Sequence, residues 1–206
     1  KEALKVQPKA AYNYLLFGSL FYINRQYDSS IYYVRKALEL APMWVNAINN
    51  LGMAYDAEKN TDSARFYYRK AIEINPNDPE YWYVFAEVQE KLGFMEEAAM
   101  AYQRVIELEY PDYDVWLDYS KLLHQNGYIT NALETLSEGI KYFPDVVELY
   151  YRMGVILLDK ENRKESLEYF EKALAMDYSK HNEIFEYAPI LQNDNEILNL
   201  ISTYKK

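Results

Sequence analysis

The chain repeats itself every 34 residues, and this period constrains its fold more than any other feature of the sequence. Prolines mark the period at Pro8, Pro42, Pro76, Pro111 and Pro144, of which only Pro111 is displaced by one place. Two further columns of the period hold only small residues: Gly18, Gly52, Ala86, Ser120 and Gly154 in the first, and Ser30, Ala64, Ala98, Ala132 and Ser166 in the second. A fixed period of this length predicts stacked structural repeats that bury their hydrophobic faces against their neighbours.

Each unit of the period contains two helical patterns. Apolar side chains step by three and four residues at Ile48, Leu51 and Tyr55, and the same stepping returns in the second half of the unit. Gly93 and Gly127 stand between the two patterns, where glycine commonly ends a helix. The sequence therefore predicts pairs of helices, each closed by a proline. The small residues are expected where the two helices of a pair cross closely, since a bulky side chain there would push them apart.

The second full unit carries a known motif, which consists of a bulky residue, then Leu-Gly, Tyr, Ala, Tyr, Ala and Pro at fixed places. These residues are Ile48, Leu51, Gly52, Tyr55, Ala64, Tyr68, Ala71 and Pro76. In this motif the chain resembles the tetratricopeptide repeat family, with mild departures in other units such as Gln89 for Tyr and Val105 for Ala. The resemblance implies an all-α fold, a right-handed α-solenoid of antiparallel helix pairs. Such a solenoid has a concave groove lined by the first helix of each pair, which suits extended peptides.

Five full repeats are predicted, at residues 11–44, 45–78, 79–112, 113–146 and 147–180. Residues 1–10 resemble the end of a truncated repeat, because Ala3 and Pro8 are in register with the later units. We therefore interpret the sequence as part of a longer polypeptide.

Residues 181–206 are predicted to form C-terminal capping helices. Pro189 is expected to break the first of them, because a proline disfavours helical backbone in the residue before it. Asn193, with Glu196 three residues later, is a capping signal for a last helix with one apolar face. A solenoid needs such a helix at its terminus to cover its final hydrophobic face.

The composition excludes several functional classes. The chain has no cysteine, which excludes disulfides, cysteine zinc sites and thiol nucleophiles. The compartment stays open, with the cytoplasm favoured and the periplasm as the alternative. No phosphate-binding loop, nucleophile elbow or metal motif occurs, and His124 and His181 are interpreted as surface or groove-lining side chains. We therefore predict no enzyme activity, no cofactor and no metal site in this segment.

The resemblance also indicates which residues face the groove, namely those at places 2, 5, 9, 12 and 13 of each repeat. The side chains chosen from these places mix aromatic, apolar and sparse charged groups, which is typical of a peptide-binding surface. They are Asn46, Asn49, Met53, Glu80, Tyr83, Glu87, Leu117, Lys121, Tyr151 and Val155. One alternative stays open, in which Tyr83 and Tyr151 pack in the core against neighbouring helices.

Charge limits the kind of partner. The formal net charge is −10, and residues 79–112 carry two basic and eight acidic side chains. Nucleic acid is therefore excluded as a partner, because neutralising phosphates requires patches of Lys and Arg. The predicted partner is a protein or peptide, and Glu80 and Glu87 favour a Lys or Arg on it. The clamp by which some family members hold acidic chaperone tails is not expected, since no register supplies more than one of its five residues.

A second function is compatible with the sequence. The chain could be a self-assembling structural or spacer module of a larger protein. Leu4 and Val6 lie on the half-unit at the N-terminal end, which has no partner helix within the sequence. Apolar faces of this kind pair in solution, so a homodimer through the N-terminal end is the corresponding expectation. No apolar run approaches the length of a membrane span, so no membrane insertion is expected.

Overall fold

The structure, a computed structural model, describes the backbone of residues 3–109 and 112–205 and the side chains from Lys9 onward. The α-helices in these ranges are α1 Ala3–Ile23, α2 Tyr27–Leu40, α3 Val45–Ala57, α4 Thr61–Ile74, α5 Pro79–Leu92, α6 Met95–Glu107, α7 Asp114–Gln125, α8 Ile129–Tyr142, α9 Val147–Asp159, α10 Arg163–Met176, α11 Glu183–Tyr187 and α12 Asn195–Tyr204. Two short 3₁₀ helices, Tyr178–Lys180 and Pro189–Asn193, flank α11. The described residues contain no β-strand, and the predicted all-α solenoid class is confirmed.

The chain divides into two compact units, residues 1–110 and residues 111–206. In the first unit α1 packs on α2, α3 on α4 and α5 on α6. In the second unit α7 packs on α8 and α9 on α10, and α11 and α12 complete the unit. Turns of two or three residues join the helices of each pair, so that the two helices run in opposite directions.

Each of these turns contains one residue in the left-handed backbone region. The five residues and their φ angles are Arg25 at 58°, Lys59 at 62°, Gly93 at 81°, Gly127 at 82° and Glu161 at 59°. The two glycines adopt this conformation without steric cost, as the sequence indicated. The other three have a Cβ atom that lies close to the following carbonyl oxygen.

The small residues of the period lie where paired helices touch. A Cβ atom at Gly52 would stand 2.7 Å from the ring of Tyr68, and one at Gly154 would overlap the ring of Phe170. Tyr68 and Phe170 occupy the same place in α4 and α10. The second small column is also buried, with Ala64 at 0% exposure. The prediction that small residues allow close crossing is thus confirmed.

The first helix differs from the prediction. Helix α1 is continuous from Ala3 to Ile23 and passes through Pro8, so the prediction that this proline closes a helix is wrong. Helices α2 and α4 do end before Pro42 and Pro76, because the chain reverses direction there between successive pairs. At Pro8 no reversal follows, and the missing N–H costs one backbone hydrogen bond near the start of a long helix. The assignment of residues 1–10 to a truncated repeat stays a prediction.

The C-terminal segment follows the prediction with a shift of one residue. Helix α11 ends at Tyr187, before Pro189, as expected. The cap of α12 is Asp194 rather than Asn193: its carboxylate accepts hydrogen bonds from the N–H groups of Glu196 at 3.1 Å and Ile197 at 3.2 Å. Asn193 is instead the last residue of a 3₁₀ helix.

Candidate interaction surface

The predicted groove residues of the first unit lie on α3 and α5, and side-chain contacts hold these two helices side by side. The Tyr81 hydroxyl donates a hydrogen bond to Asn46 Oδ1 at 3.2 Å, and Lys91 Nζ pairs with Asp56 at 2.7 Å. We call the surface formed by places 2, 5 and 9 of these helices the first-helix face. Its members are Asn46, Asn49, Met53, Glu80, Tyr83 and Glu87.

The residues that α3 contributes to the first-helix face differ in their burial. Asn46 at its start is exposed, Met53 is partly buried, and Asn49 between them is buried with 5% exposure. Asn49 Nδ2 lies 3.9 Å from Met53 Sδ, a weak contact, and Asn49 Oδ1 has no hydrogen-bond partner within the described residues. A buried amide oxygen without a partner is costly, so this side chain retains capacity to accept a hydrogen bond.

Helix α5 contributes the aromatic and acidic part of the first-helix face. Glu80 is exposed in the first turn, where Asp78 caps the helix by accepting from the Glu80 N–H at 3.2 Å. The Tyr83 ring is partly exposed and meets the ring of Tyr102 edge-on, with centroids 6.0 Å apart. Glu87, one turn further, is partly buried. Tyr83 is thus fixed on one side by a buried ring and reaches solvent on the other.

A small cavity lies beside this face, between α1 and α3. Its volume is about 170 Å³, and it is lined by Ser19, Tyr22, Ile23, Ser30, Asn50 and Met53. Asn50 Nδ2 donates to Ser19 Oγ at 3.2 Å across the cavity. Among the predicted residues only Met53 lines it. Tyr22 stands at place 12, so the groove pattern contained a signal for it, whereas Asn50 at place 6 lies outside the places used.

The predicted residues of the second unit lie in two different environments. Leu117 and Lys121 on α7 are partly buried. Tyr151 and Val155 on α9 are buried, with 0% and 6% exposure. These two side chains therefore do not line an open groove, as was expected of them. Tyr151 packs in the core, which is the alternative that the sequence analysis left undecided. The reason is that the chain's own C-terminal segment covers this face of α9.

The covering segment makes both apolar and polar contacts. Ile184 and Leu191 join Tyr151, Val155 and Phe170 in one buried cluster. The Arg152 guanidinium stacks on the ring of Tyr187, 3.8 Å from its centroid. Burial lowers the pKa of Arg152 and raises the pKa of Tyr187. The Tyr151 hydroxyl has no hydrogen-bond partner within the described residues.

Ion pairs fasten the same segment at its edges. Arg163 Nη2 donates to both carboxylate oxygens of Asp194 at 2.8 Å, and its Nε donates to Glu196 at 2.6 Å. This arrangement holds the pKa of Asp194 below its ordinary value. Lys180 pairs with Glu148, which raises the pKa of Lys180. The pairs are partly exposed, so each is worth little alone, but together they fix the register of the segment.

Negative charge accumulates at the start of α7. Burial, followed by the charges of Asp112, Asp118 and Glu148, raises the pKa of Asp114. A carboxyl group whose pKa is raised by burial and by neighbouring negative charge favours a cation close by. This part of the second unit shares its acidic character with α5 of the first unit.

The two histidines make local contacts. His124 Nε2 lies 2.6 Å from Asp159 Oδ2, and His181 stacks on Tyr178 with ring centroids 4.7 Å apart. Among the described residues, no group of three or more His, Asp and Glu side chains converges as a metal site would require. In the same residues, no helix has the length and apolar character needed to cross a membrane.

Comparison with known structures shows the fold. The chain superposes on the crystal structure of the MamA protein with a TM-score of 0.76 at 22% identity, covering 84% of this chain and 94% of that one. It superposes on YrrB, described as a TPR protein with an unusual peptide-binding site, with a TM-score of 0.71 at 23% identity, covering 90% and 95% of the two chains. PilF of Pseudomonas aeruginosa gives a TM-score of 0.68 at 15% identity over 97% and 98% of the chains. Comparison with curated proteins returns no significant match.

Family models match the sequence itself. Three models of the tetratricopeptide repeat match residues 45–78, 67–99 and 147–180. The first and the last of these segments have the same bounds as two of the repeats predicted from the period. Together with the helix pairs and the small-residue crossings, these matches show that the chain contains tetratricopeptide repeats.

Proposed function

We propose that the chain is a non-catalytic interaction scaffold and that the first-helix face of α3 and α5 binds a peptide or an extended segment of a partner protein. The observation that carries the proposal is the partly exposed Tyr83 ring, held edge-on by buried Tyr102, with the exposed side chains of Glu80 on the same helix and Asn46 on α3. A rigid aromatic ring with polar neighbours is the usual anchor of a protein interface. The similar fold of YrrB, a TPR protein described as having an unusual peptide-binding site, supports this class of function.

The charge of this face favours a partner with Lys or Arg. Glu80 and Glu87 lie about two turns apart on α5, on either side of Tyr83. Residues 79–112 carry two basic and eight acidic side chains. A basic side chain stacked near Tyr83 would gain both a carboxylate partner and a cation–π contact. Asn46, and the unsatisfied oxygen of Asn49, supply groups that hydrogen-bond a peptide backbone.

The test is a selection of short peptides from a random phage-displayed library on the intact chain. Selected peptides are synthesised with a fluorescent label, and their affinity is measured for the wild-type chain, for Tyr83→Ala and for Tyr128→Ala. Tyr128 is the control because its side chain is 59% exposed and belongs neither to α3 nor to α5. We expect basic peptides that lose about tenfold or more in affinity with Tyr83→Ala and none with Tyr128→Ala. Peptides that bind both variants equally would place the site elsewhere.

A second candidate function, self-association through α1, is favoured by a separate observation. Leu16, Leu20 and Ile23 are 51%, 53% and 75% exposed on α1. The residues at the place of Leu20 in the next two first helices, Ala54 and Val88, are both 0% exposed. The position that the next two repeats bury is thus exposed at Leu20 of α1. Leu4 and Val6, on which the sequence-based expectation rested, have side chains outside the described residues.

Light scattering over a dilution series measures this second candidate. Leu20→Lys is expected to abolish a dimer that forms in the wild type, since it places a charge in the apolar contact. Leu198→Lys is the matched control, because Leu198 is a leucine of α12 with 41% exposure. A wild-type chain that stays monomeric at millimolar concentration would exclude self-association.

A further inference from the structure

The second helices of the first three repeats share an exposed apolar residue at the same place. These residues are Tyr32 on α2, Phe66 on α4 and Met100 on α6, each 34 residues from the next, with exposures of 57%, 61% and 72%. The same place in α8 and α10 holds Glu134 and Glu168, both exposed. Large apolar side chains exposed once in every repeat of one unit, and replaced by charge in the other, mark an interaction surface rather than scattered surface residues.

Basic side chains follow the apolar residue by one helical turn in the first unit. They are Arg35 and Lys36 on α2, Arg69 and Lys70 on α4, and Arg104 on α6. The corresponding positions of the second unit hold Ser137, Glu138, Glu171 and Lys172, which is one basic side chain against five in the first unit. Lys36 and Arg104 each pair with a glutamate of their own helix, Glu39 and Glu107. We call the apolar row and its basic neighbours the second-helix face. Its apolar row and basic side chains lie on α2, α4 and α6, whereas the first-helix face lies on α3 and α5.

A cleft between α4 and α6 gives this face a binding pocket. Its volume is about 220 Å³, and it is lined by Arg69, Ile72, Trp82, Phe85, Glu97, Met100 and Ala101. The Trp82 ring is held in place by a 2.8 Å hydrogen bond from its Nε1 to the carbonyl oxygen of Pro76. Such a cleft accepts one apolar side chain of a partner, with Met100 as an exposed, flexible wall.

Arg69 stands at the rim of the cleft with unused hydrogen-bonding capacity. Its side chain is 53% exposed, and its ion pair to Glu97 Oε2, the one found within the described residues, is long at 3.7 Å. The guanidinium also lies over the Phe85 ring, 5.8 Å from its centroid. That oxygen already accepts a hydrogen bond from Arg65 at 2.8 Å and another from Gln89. The Arg69 guanidinium is therefore available to a second carboxylate, which it can bind with two parallel hydrogen bonds.

We propose that the second-helix face binds an acidic amphipathic helix of a partner protein. An apolar side chain of that helix enters the cleft between α4 and α6, and a carboxylate one turn away pairs with Arg69. Side chains seven residues apart in an α-helix lie on one face, about 10.5 Å apart along its axis, so one helix presents several apolar side chains in a line. A β-strand cannot do this with the same spacing, because side chains separated by an odd number of residues point to opposite sides.

The probe is a labelled synthetic peptide of about 18 residues, designed as an α-helix. One face carries Leu at every seventh residue and at the positions between them on that face, and both flanks carry Glu. This length includes three leucines that are seven residues apart. A second peptide has Lys in place of Glu. Binding is followed by fluorescence anisotropy with the intact chain. We expect the acidic peptide to bind and the basic peptide to bind about tenfold more weakly, because the row beside the cleft is basic.

Substitutions in the chain test which residues bind the acidic peptide. Phe66→Ser combined with Met100→Ser removes two of the three exposed side chains of the row. It is expected to weaken binding of the acidic peptide about tenfold or more. Arg69→Gln is expected to weaken it about threefold to tenfold and to reduce its dependence on salt. Glu134→Ser combined with Glu168→Ser, at the same place in the second unit, is the matched control and should leave affinity unchanged. Tyr83→Ala should also leave it unchanged, which separates this surface from the first-helix face.

Three results would overturn the proposal: no binding of the acidic peptide, equal binding of the basic peptide, or affinities unaffected by the Phe66 and Met100 substitutions. A parallel measurement uses vesicles of phosphatidylcholine with phosphatidylserine. If the chain binds these vesicles through Phe66 and Met100 and does not bind the acidic peptide, the surface recognises an anionic membrane and the proposed helical partner is wrong.

Discussion

Helices α5 and α9 occupy the same position in two repeats, yet their faces meet different surroundings. Tyr83 on α5 and Tyr151 on α9 stand at the same place of the period. Tyr83 is partly exposed, whereas Tyr151 has 0% exposure because α11 and the segment after it cover α9. The repeat pattern therefore fixes which direction a side chain takes from its helix. Whether that direction leads to solvent depends on segments outside the repeat.

Weakening the packing of the covering segment should have the largest effect on the stability of α9. Ile184→Ala combined with Ile197→Ala removes two side chains that are 0% exposed, and is expected to destabilise the second unit by about 5 kcal/mol. Hydrogen exchange of the α9 amides should then accelerate, while exchange in α3 and α4 stays unchanged. The control, Ile190→Ala with Leu198→Ala, changes exposed residues of the same segment. Unchanged α9 exchange in the first variant would mean that the segment does not stabilise α9.

The second-largest expected effect is the difference in unfolding free energy lost when each of the two tyrosines is truncated to alanine. Tyr151→Ala leaves a cavity in the cluster of Phe170 and Ile184, and should cost about 3–4 kcal/mol of unfolding free energy. Tyr83→Ala removes a ring that is partly exposed, and should cost about 1 kcal/mol. Chemical denaturation followed by hydrogen exchange in α9 and α5 measures both changes. Equal costs would show that the two faces are equally buried in solution.

Acid should loosen the covered face before the open one. Because Arg163 lowers the pKa of Asp194 in the folded chain, the Asp194 carboxylate stabilises the fold above its unfolded pKa, and this stabilisation is lost as the pH falls through the lower folded value. Protection of the α12 amides should therefore fall below about pH 4. Asp194→Asn still caps the helix but has no charge, so its α12 protection should depend less on pH. An identical pH profile would assign the acid sensitivity to other carboxylates.

The smallest effect concerns the hydroxyl groups of two buried tyrosines. Tyr151 Oη has no partner within the described residues, so Tyr151→Phe should change stability by less than about 0.5 kcal/mol or increase it. Tyr102→Phe should cost about 1 kcal/mol, because the Tyr102 hydroxyl donates to Glu90 at 3.2 Å. Thermal denaturation of both variants under one buffer condition gives the comparison. A clear loss in Tyr151→Phe would reveal a partner for its hydroxyl in solution.

The sequence predicted the parts of the fold that depend on neighbours within the period. Gly52 and Tyr68 lie sixteen residues apart in one repeat, and their contact follows from the alternation of small and bulky columns. The end of α11 followed from Pro189 in the same way. These features are local, so a repeating pattern contains them.

The sequence did not predict what depends on longer contacts. The burial of Tyr151 requires the packing of Ile184 and Leu191, which belong to no repeat. Asp194 replaces Asn193 as the cap because Arg163, 31 residues earlier, binds its carboxylate. The exposed row of Tyr32, Phe66 and Met100 was visible as a column of the period. Its meaning appears only with the exposures of these side chains, since apolar columns elsewhere in the period are buried.

The left-handed turns have a consequence for engineering this chain. Arg25, Lys59 and Glu161 adopt a backbone conformation that suits glycine, at a cost of about 1 kcal/mol each. Glycine at these three turn positions would relieve that strain, although glycine inside the adjoining helices would be destabilising. All three side chains lie in turns, outside both proposed binding faces. Because each repeat contacts only its neighbours, the thermal tolerance of the chain can be raised one hairpin at a time, with recognition left as it is.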